Sequence, residues 1–114
     1  MSRAASNAAE KLVESAPVFA ALGDETRLRL VSRLSAEGPL SIVRLREGAD
    51  VTRQAITKHL QALADVGLVR DRKEGRERIF ELEPRRLEAA RRQLDRISQQ
   101  WDAALERLRA FVEG

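Results

Sequence analysis

A mainly helical α+β fold is predicted for this chain of 114 residues. Three observations carry that expectation: apolar residues recur at helical spacing through most of the sequence, a short stretch after Gly67 alternates with a period of two, and the final segment carries an unusually long apolar seam. The order of elements follows from the stop signals between them. Over residues 8–22 the pattern Leu12, Ala16, Phe19 predicts helix, restarted near Pro17 because proline is tolerated only in a first helical turn. The few residues before it are expected to fray. Asp24 is a good cap for a second helix that turns Leu28, Val31 and Leu34 inward and ends near Gly38. Pro39 blocks its continuation, Ser41 caps a short helix with Ile42 and Leu45 inward, and Gly48-Ala49-Asp50-Val51 makes a turn.

Thr52 then opens a helix in which Ile56, Leu60 and Leu63 form a core stripe at i, i+4, i+7, and Gly67 sits where a helix ends in a left-handed residue. With that stripe inward, Thr52, Arg53, Gln54, Thr57, Lys58 and Gln61 share the outer face, with no large apolar residue among them. Long donors and amides one or two turns apart are the groups that reach base edges and phosphates in a DNA major groove. In isolation such a face is also the ordinary solvated side of an amphipathic helix. Its neighbours decide between the two. A short helix and a tight turn precede it, so residues 41–66 have the form of a helix-turn-helix, whose second helix enters the groove.

After Gly67 the pattern changes to alternation: Leu68, Arg70, Arg72 against Val69, Asp71, then Arg78, Phe80, Leu82 against Ile79, Glu81. A hairpin over 68–83 is predicted, turning at Lys73-Glu74-Gly75-Arg76. Arg72, Lys73, Arg76 and Arg78 crowd its tip, as a wing gripping phosphates or an adjacent minor groove requires. The net charge of +3 agrees. Residues 1–50 and 81–114 each balance seven basic against seven acidic residues, so residues 51–80, with seven against four, hold the whole surplus.

Pro84 opens the last segment, whose apolar positions Leu87, Ala90, Leu94, Ile97, Trp101, Ala104, Leu108 and Phe111 alternate spacings of three and four. A seam sustained over more than three heptads packs along another long helix. Leu105 and Val112 widen it at the far end. A dimer interface at Leu87, Leu94, Ile97, Trp101, Leu105, Leu108 and Phe111 is expected, with 8–22 and 85–112 as dimerisation helices of one domain spanning 1–114. Folding back of the last helix onto its own domain is the competing expectation, since a helix near residues 8–20 is available to receive it.

The composition limits other functions. No apolar stretch approaches the roughly 20 residues needed to cross a bilayer, and the start lacks a secretory core, so no membrane association and a cytoplasmic location are expected. The chain has no cysteine, no tyrosine and one histidine. Thiolate metal sites, disulfides and cysteine redox sensing are excluded, and with no nucleophile and base pairing and no phosphate-cradling loop, no enzymatic activity is expected.

Ala-Leu-Gly-Asp-Glu-Thr-Arg-Leu-Arg-Leu at 21–30, Thr-Arg-Gln-Ala-Ile-Thr-Lys-His-Leu at 52–60 and Gly-Leu-Val at 67–69 resemble the ArsR-type winged helix-turn-helix repressors, over about residues 18–84. The resemblance implies a homodimeric transcription regulator that binds double-stranded DNA, a repressor released by a small-molecule effector, with the terminal helices as dimer interface. The departures concern sensing. Where arsenic- and cadmium-type members carry Leu-Cys-x-Cys-x-Leu, this chain reads Leu40-Ser41-Ile42-Val43-Arg44-Leu45. Where zinc-type members bring Asp, His and Glu ligands, the last helix has Asp95, Asp102 and Glu106 and no histidine. No metal and no cofactor are therefore expected, and His59 is assigned to packing or phosphate contact. A homodimer reading an inverted repeat is the leading expectation; a winged-helix module that docks proteins without reading DNA sequence is the alternative.

Overall fold

The computed structural model describes residues 3–114. Its elements are α1 (Arg3–Glu14), α2 (Ala16–Leu22), α3 (Glu25–Glu37), β1 (Leu40–Ser41), α4 (Ile42–Arg46), α5 (Arg53–Asp65), β2 (Val69–Glu74), β3 (Glu77–Leu82) and α6 (Pro84–Glu113). The mainly α architecture with one hairpin is as the sequence predicts. Helix begins at Arg3 rather than near residue 8, so of the residues expected to fray only Met1 and Ser2 lie outside the described residues. The helix breaks at Ser15 and restarts with Pro17 in the first turn of α2. Proline there removes only an amide that has no intrahelical partner.

The caps form as their residue types dictate. Asp24 accepts from the Arg27 amide at 3.0 Å, Ser41 from Arg44 at 3.2 Å and Thr52 from Ala55 at 3.1 Å. Gly67, at φ +77°, turns the chain out of α5, while Leu68 N–H returns to Leu63 C=O at 3.0 Å. Glu83 caps α6, and Pro84 occupies its first turn.

One cluster of buried side chains joins these elements: Val18 and Ala21 of α2, Leu30 and Leu34 of α3, Ile42 and Leu45 of α4, Ile56, Leu60 and Leu63 of α5, Leu68, Val69, Phe80, and Ala90 of α6. The α5 stripe is completely inaccessible to solvent. Each such aliphatic side chain contributes roughly 1.5–3 kcal/mol by burial, so α5 is fixed in rotation about its axis.

Two inward faces differ from expectation. On α3 the buried residues are Leu30 and Leu34, with Val31 partly buried and Leu28 51% exposed. Leu30 and Leu34 lie one turn apart, and Leu28 falls two residues before Leu30, on a different side of the helix. On α2, Val18 and Ala21 are buried, Phe19 is only partly so and Ala16 is exposed. Both segments have enough apolar residues for two stripes, and tertiary contact selects one.

The hairpin joins a three-stranded antiparallel sheet of order β1-β3-β2. Val69 pairs with Leu82 and Glu74 with Glu77, leaving Gly75 and Arg76 as a two-residue turn with Gly75 at φ +65°. β1, which has no counterpart among the predicted elements, pairs Leu40 with Phe80 and Ser41 with Ile79. This makes β3 the central strand and explains why the adjacent residues Ile79 and Phe80 are both buried instead of alternating.

Arg33 of α3 reaches the end of α4. Its Nη1 donates to the carbonyls of Arg44, Leu45 and Glu47 at 3.0, 3.1 and 3.3 Å, while Nε meets Glu37 at 3.0 Å. These carbonyls lie at and just beyond the end of α4, so one guanidinium holds the turn before α5 against α3. Arg33→Ala is expected to lower stability by about 1 kcal/mol, discounted for partial exposure, and Arg33→Lys to recover only part of it, as read from urea denaturation midpoints.

Candidate nucleic-acid interface

The core stripe of α5 turns Arg53, Gln54, Lys58 and Gln61 to the exposed surface. Thr52 is engaged as the helix cap, and the Thr57 hydroxyl donates to the Arg53 carbonyl at 2.9 Å, which leaves its methyl group and oxygen at a partly buried position. Gln61 donates to Asp65 at 2.8 Å. Of the six residues singled out on this helix, Arg53, Gln54 and Lys58 are thus exposed with no side-chain hydrogen bond among the described residues.

The hairpin divides its cations. Arg72 Nη1 meets Glu81 at 2.9 Å and Arg78 meets Asp71 at 2.9 Å, with the Arg78 guanidinium 5.2 Å from the Phe80 ring centre. Arg70 binds both Glu81, at 3.1 Å, and Glu83, at 2.8 Å. The Glu81 carboxyl is held below its ordinary value chiefly by the hydrogen bond from Arg72, with desolvation opposing and the Arg70 hydrogen bond adding to it. Lys73 and Arg76 form no ion pair among the described residues. Lys73 and Arg76 are therefore available to an external anion, while Arg72 and Arg78 brace the strands.

Helix and hairpin meet in a cleft of about 290 Å³ lined by Ser41, Ile42, Val43, Arg53, Thr57, Lys73, Arg76, Glu77 and Arg78. The first turn of α5 lies on one side and the hairpin tip on the other. Arg53, Lys73, Arg76 and Arg78 face it against one carboxylate, Glu77. A cationic rim shared by the start of α5 and the hairpin tip is suited to a phosphate backbone.

His59 lies elsewhere. Its Nδ1 is 3.4 Å from Arg27 Nη1 and 3.7 Å from Asp24 Oδ2, and Arg27 Nε donates to the Ala21 carbonyl at 2.6 Å. The histidine thereby ties α5 to the loop between α2 and α3, which supports the packing role expected for it over phosphate contact. Among the described residues no three His, Cys, Asp or Glu side chains are grouped to hold a metal ion. Arg27 and Arg33 were not foreseen; the signal for Arg27 is its place three residues after the Asp24 cap, and Arg33 had none, because its partners are backbone carbonyls.

The seam of α6 is largely uncovered. Leu87 is partly buried against the core, but Leu94 is 52% exposed, Trp101 66% and Phe111 86%, with Leu105, Leu108 and Val112 exposed beside them; Ile97 is intermediate. At 30 residues the helix is about 45 Å long and outruns the domain it starts from. Folding back onto the chain's own first helix does not cover it.

The helix-turn-helix domain family matches residues 22–72. The HTH-type transcriptional regulator Rv2034 of Mycobacterium tuberculosis is 42% identical over 85 residues, which cover 75% of this chain and 76% of the relative. The arsenical resistance operon repressor of Escherichia coli is 34% identical over 95 residues, covering 83% of this chain and 79% of that one. The chain belongs to the ArsR family of winged helix-turn-helix regulators. An ArsR-like transcriptional regulator from Rhodococcus sp. RHA1 superposes with a TM-score of 0.67 at 39% identity, over 87% of this chain and 92% of that structure. As an ArsR-family protein it is a DNA-binding transcriptional regulator, and the relatives matched are regulators, not enzymes. No helix among the described residues is long and apolar enough to cross a membrane.

Asp24 joins these parts electrostatically. The hydrogen bond from the Arg27 amide holds its carboxyl below the ordinary value of 3.8; partial desolvation opposes this, and the charges of Arg27 and His59 add to it. A carboxyl depressed in the folded state binds fewer protons there than in the unfolded chain, so its contribution is present above pH ~4 and is lost as pH falls through the folded value. Acidification below pH ~4 is expected to destabilise the ArsR-family fold, and Asp24→Asn to flatten that dependence while wild type and variant converge at the acid end, measured by thermal melts across pH.

Proposed function

We propose that the protein is a homodimeric repressor that reads an inverted-repeat operator. Within one domain spanning 1–114, residues 41–66 form the reading unit, 68–83 the wing, and 8–22 with 85–112 the dimerisation helices. The observation that carries this reading is the cleft shared by the start of α5 and the hairpin tip, because Arg53 and Thr57 of the helix line it together with Lys73, Arg76 and Arg78 of the wing. Arg53, Gln54, Thr57, Lys58 and Gln61 select bases, with Thr52 holding the first turn in place. Lys73 and Arg76 grip phosphates directly, and Arg72 and Arg78 exchange hairpin carboxylates for phosphates. Exposed ion pairs are worth at most about 1 kcal/mol, so that exchange is energetically accessible.

Dimerisation is supported by the exposed seam. Leu87, Leu94, Ile97, Trp101, Leu105, Leu108 and Phe111 would pack against the same residues of a second copy, as an isologous interface requires. Two reading units would then address half-sites about 34–36 Å apart. Trp101→Glu is expected to shift the mass in solution from dimer to monomer and to abolish operator binding at concentrations where wild type is saturated.

Selection from a random duplex DNA pool tests the whole reading. Enrichment of an inverted repeat with half-site centres about ten base pairs apart is the expected result; binding that follows salt alone, with no enrichment, would favour a protein-docking module instead. On the selected operator, Gln54→Ala should cost roughly 1–3 kcal/mol at one base pair and relax specificity there. Arg76→Ala should weaken all DNA sequences alike and reduce the salt slope by about one; an unchanged slope would remove Arg76 from the phosphate contacts.

A further inference from the structure

Among the described residues 41–83, Val43 is the one large apolar side chain left exposed, at 58%. The other exposed large apolar residues lie on α1, α3 and α6. A single exposed valine is ordinary on a protein surface, so its surroundings decide whether it matters. The core does not require it. α4 buries Ile42 and Leu45, and Val43, one residue after Ile42, falls on the outer side with Arg44 and Arg46. There it lines the cleft between α5 and the hairpin, into which Arg53, Lys73, Arg76 and Arg78 also face. Thr57 lines the same cleft, and its hydroxyl donates to the Arg53 carbonyl at 2.9 Å. With that proton engaged, Thr57 offers a base a methyl group and an acceptor oxygen but no donor. An apolar surface therefore lies on the helix side of a cleft whose cations suit a phosphate strand.

We propose that Val43 and the Thr57 methyl group read the C5-methyl of a thymine in each half-site. Of the groups that base edges present in the major groove, the thymine methyl is the apolar one, and apolar side chains contact it. It projects into the groove beside its own sugar-phosphate strand. A strand held by Lys73 and Arg76 brings that methyl to the helix side of the cleft, where Val43 stands. Cytosine or uracil at the same position leaves the valine against water. The deoxyribose is the other apolar group of such a strand, but it is the same at every base, so contact with it would carry no sequence information. Apolar contact releases no counterions, which separates this selection from the grip of the wing. The inference rests on the operator reading proposed above and adds to it a residue outside the recognition helix.

The test is anisotropy titration of the full chain against the operator selected from the random pool, with each thymine replaced in turn by deoxyuridine. In wild type, one thymine in each half-site is expected to lose about fourfold in affinity with its methyl group, and 5-methylcytosine there to bind about fourfold more tightly than cytosine. Both differences should vanish in Val43→Ala and shrink in Thr57→Ser, which keeps the hydroxyl that bonds to Arg53. Because Val43 is exposed, Val43→Ala is expected to melt with the wild type. An operator in which no deoxyuridine effect depends on Val43 overturns the proposal. So does a Val43→Ala variant that binds every substituted operator more weakly by one common factor, which assigns the valine to the deoxyribose. A pool that enriches no sequence refutes the operator reading and this inference with it, whereas an enriched operator indifferent to thymine methyls removes this inference alone.

Discussion

The burial of Ile56, Leu60 and Leu63 is the constraint on which the rest of the molecule depends. These residues contact a core assembled from α2, α3, α4, the sheet and the start of α6, and none of them has any solvent exposure. Because three side chains spaced over two turns define one line on a helix, their burial sets the rotation of α5 and hence which residues face outward. Arg53, Gln54 and Lys58 gain their position from this, with no side-chain hydrogen bond of their own among the described residues. Loss of one core methyl group would therefore act on DNA reading through the angle of the helix, with the donors themselves intact.

How far the sequence discloses such a structure depends on the range of the interaction. Caps at Asp24, Ser41 and Thr52 are satisfied within three residues, and the turns at Gly67 and Gly75 require a backbone region that glycine enters freely, so both kinds of feature are readable locally. The α5 stripe is readable because its polar face admits no second solution. On α3 the alternatives Leu28 and Leu30 have the same chemistry, and only the position of α2 and α5 decides between them. β1 is two residues long and has no period to detect; its existence depends on β3 being present 40 residues later. The Arg33 clamp is invisible for a related reason, since carbonyl acceptors leave no mark on residue type. The outer face of α5 and the stripe that orients it were therefore legible, while the buried face of α3, β1 and the Arg33 clamp were not.

The hairpin shows how charge and rigidity are reconciled in so short an element. Arg70, Glu81 and Glu83 bind across its base, and Arg72 bonds to Glu81 diagonally across the strands. These contacts supply side-chain order to a ribbon whose distal half buries little apolar surface. Only Lys73 and Arg76, beside the turn, are left without carboxylates among the described residues. The cations of the hairpin are thus divided by pairing. Arg70, Arg72 and Arg78 bind carboxylates and hold the wing's direction, and Lys73 and Arg76 remain for an anion.

The same division between what the chain satisfies internally and what it leaves open applies to α6. Its first turns are anchored through Leu87 and Ala90, and from Leu94 onward the apolar seam stays largely exposed among the described residues. Isolated exposed leucines are ordinary on protein surfaces, but a continuous line containing Leu94, Trp101, Leu105, Leu108 and Phe111 is not. A helix of this length also stands free of tertiary support over its distal half, where propensity alone gives marginal stability in water. Packing against a second copy would resolve both difficulties in one contact, covering the seam and supporting the helix. It would also fix the separation of two α5 helices through a rigid element, so the spacing of bases read and the stability of the distal half of α6 would rest on the same side chains.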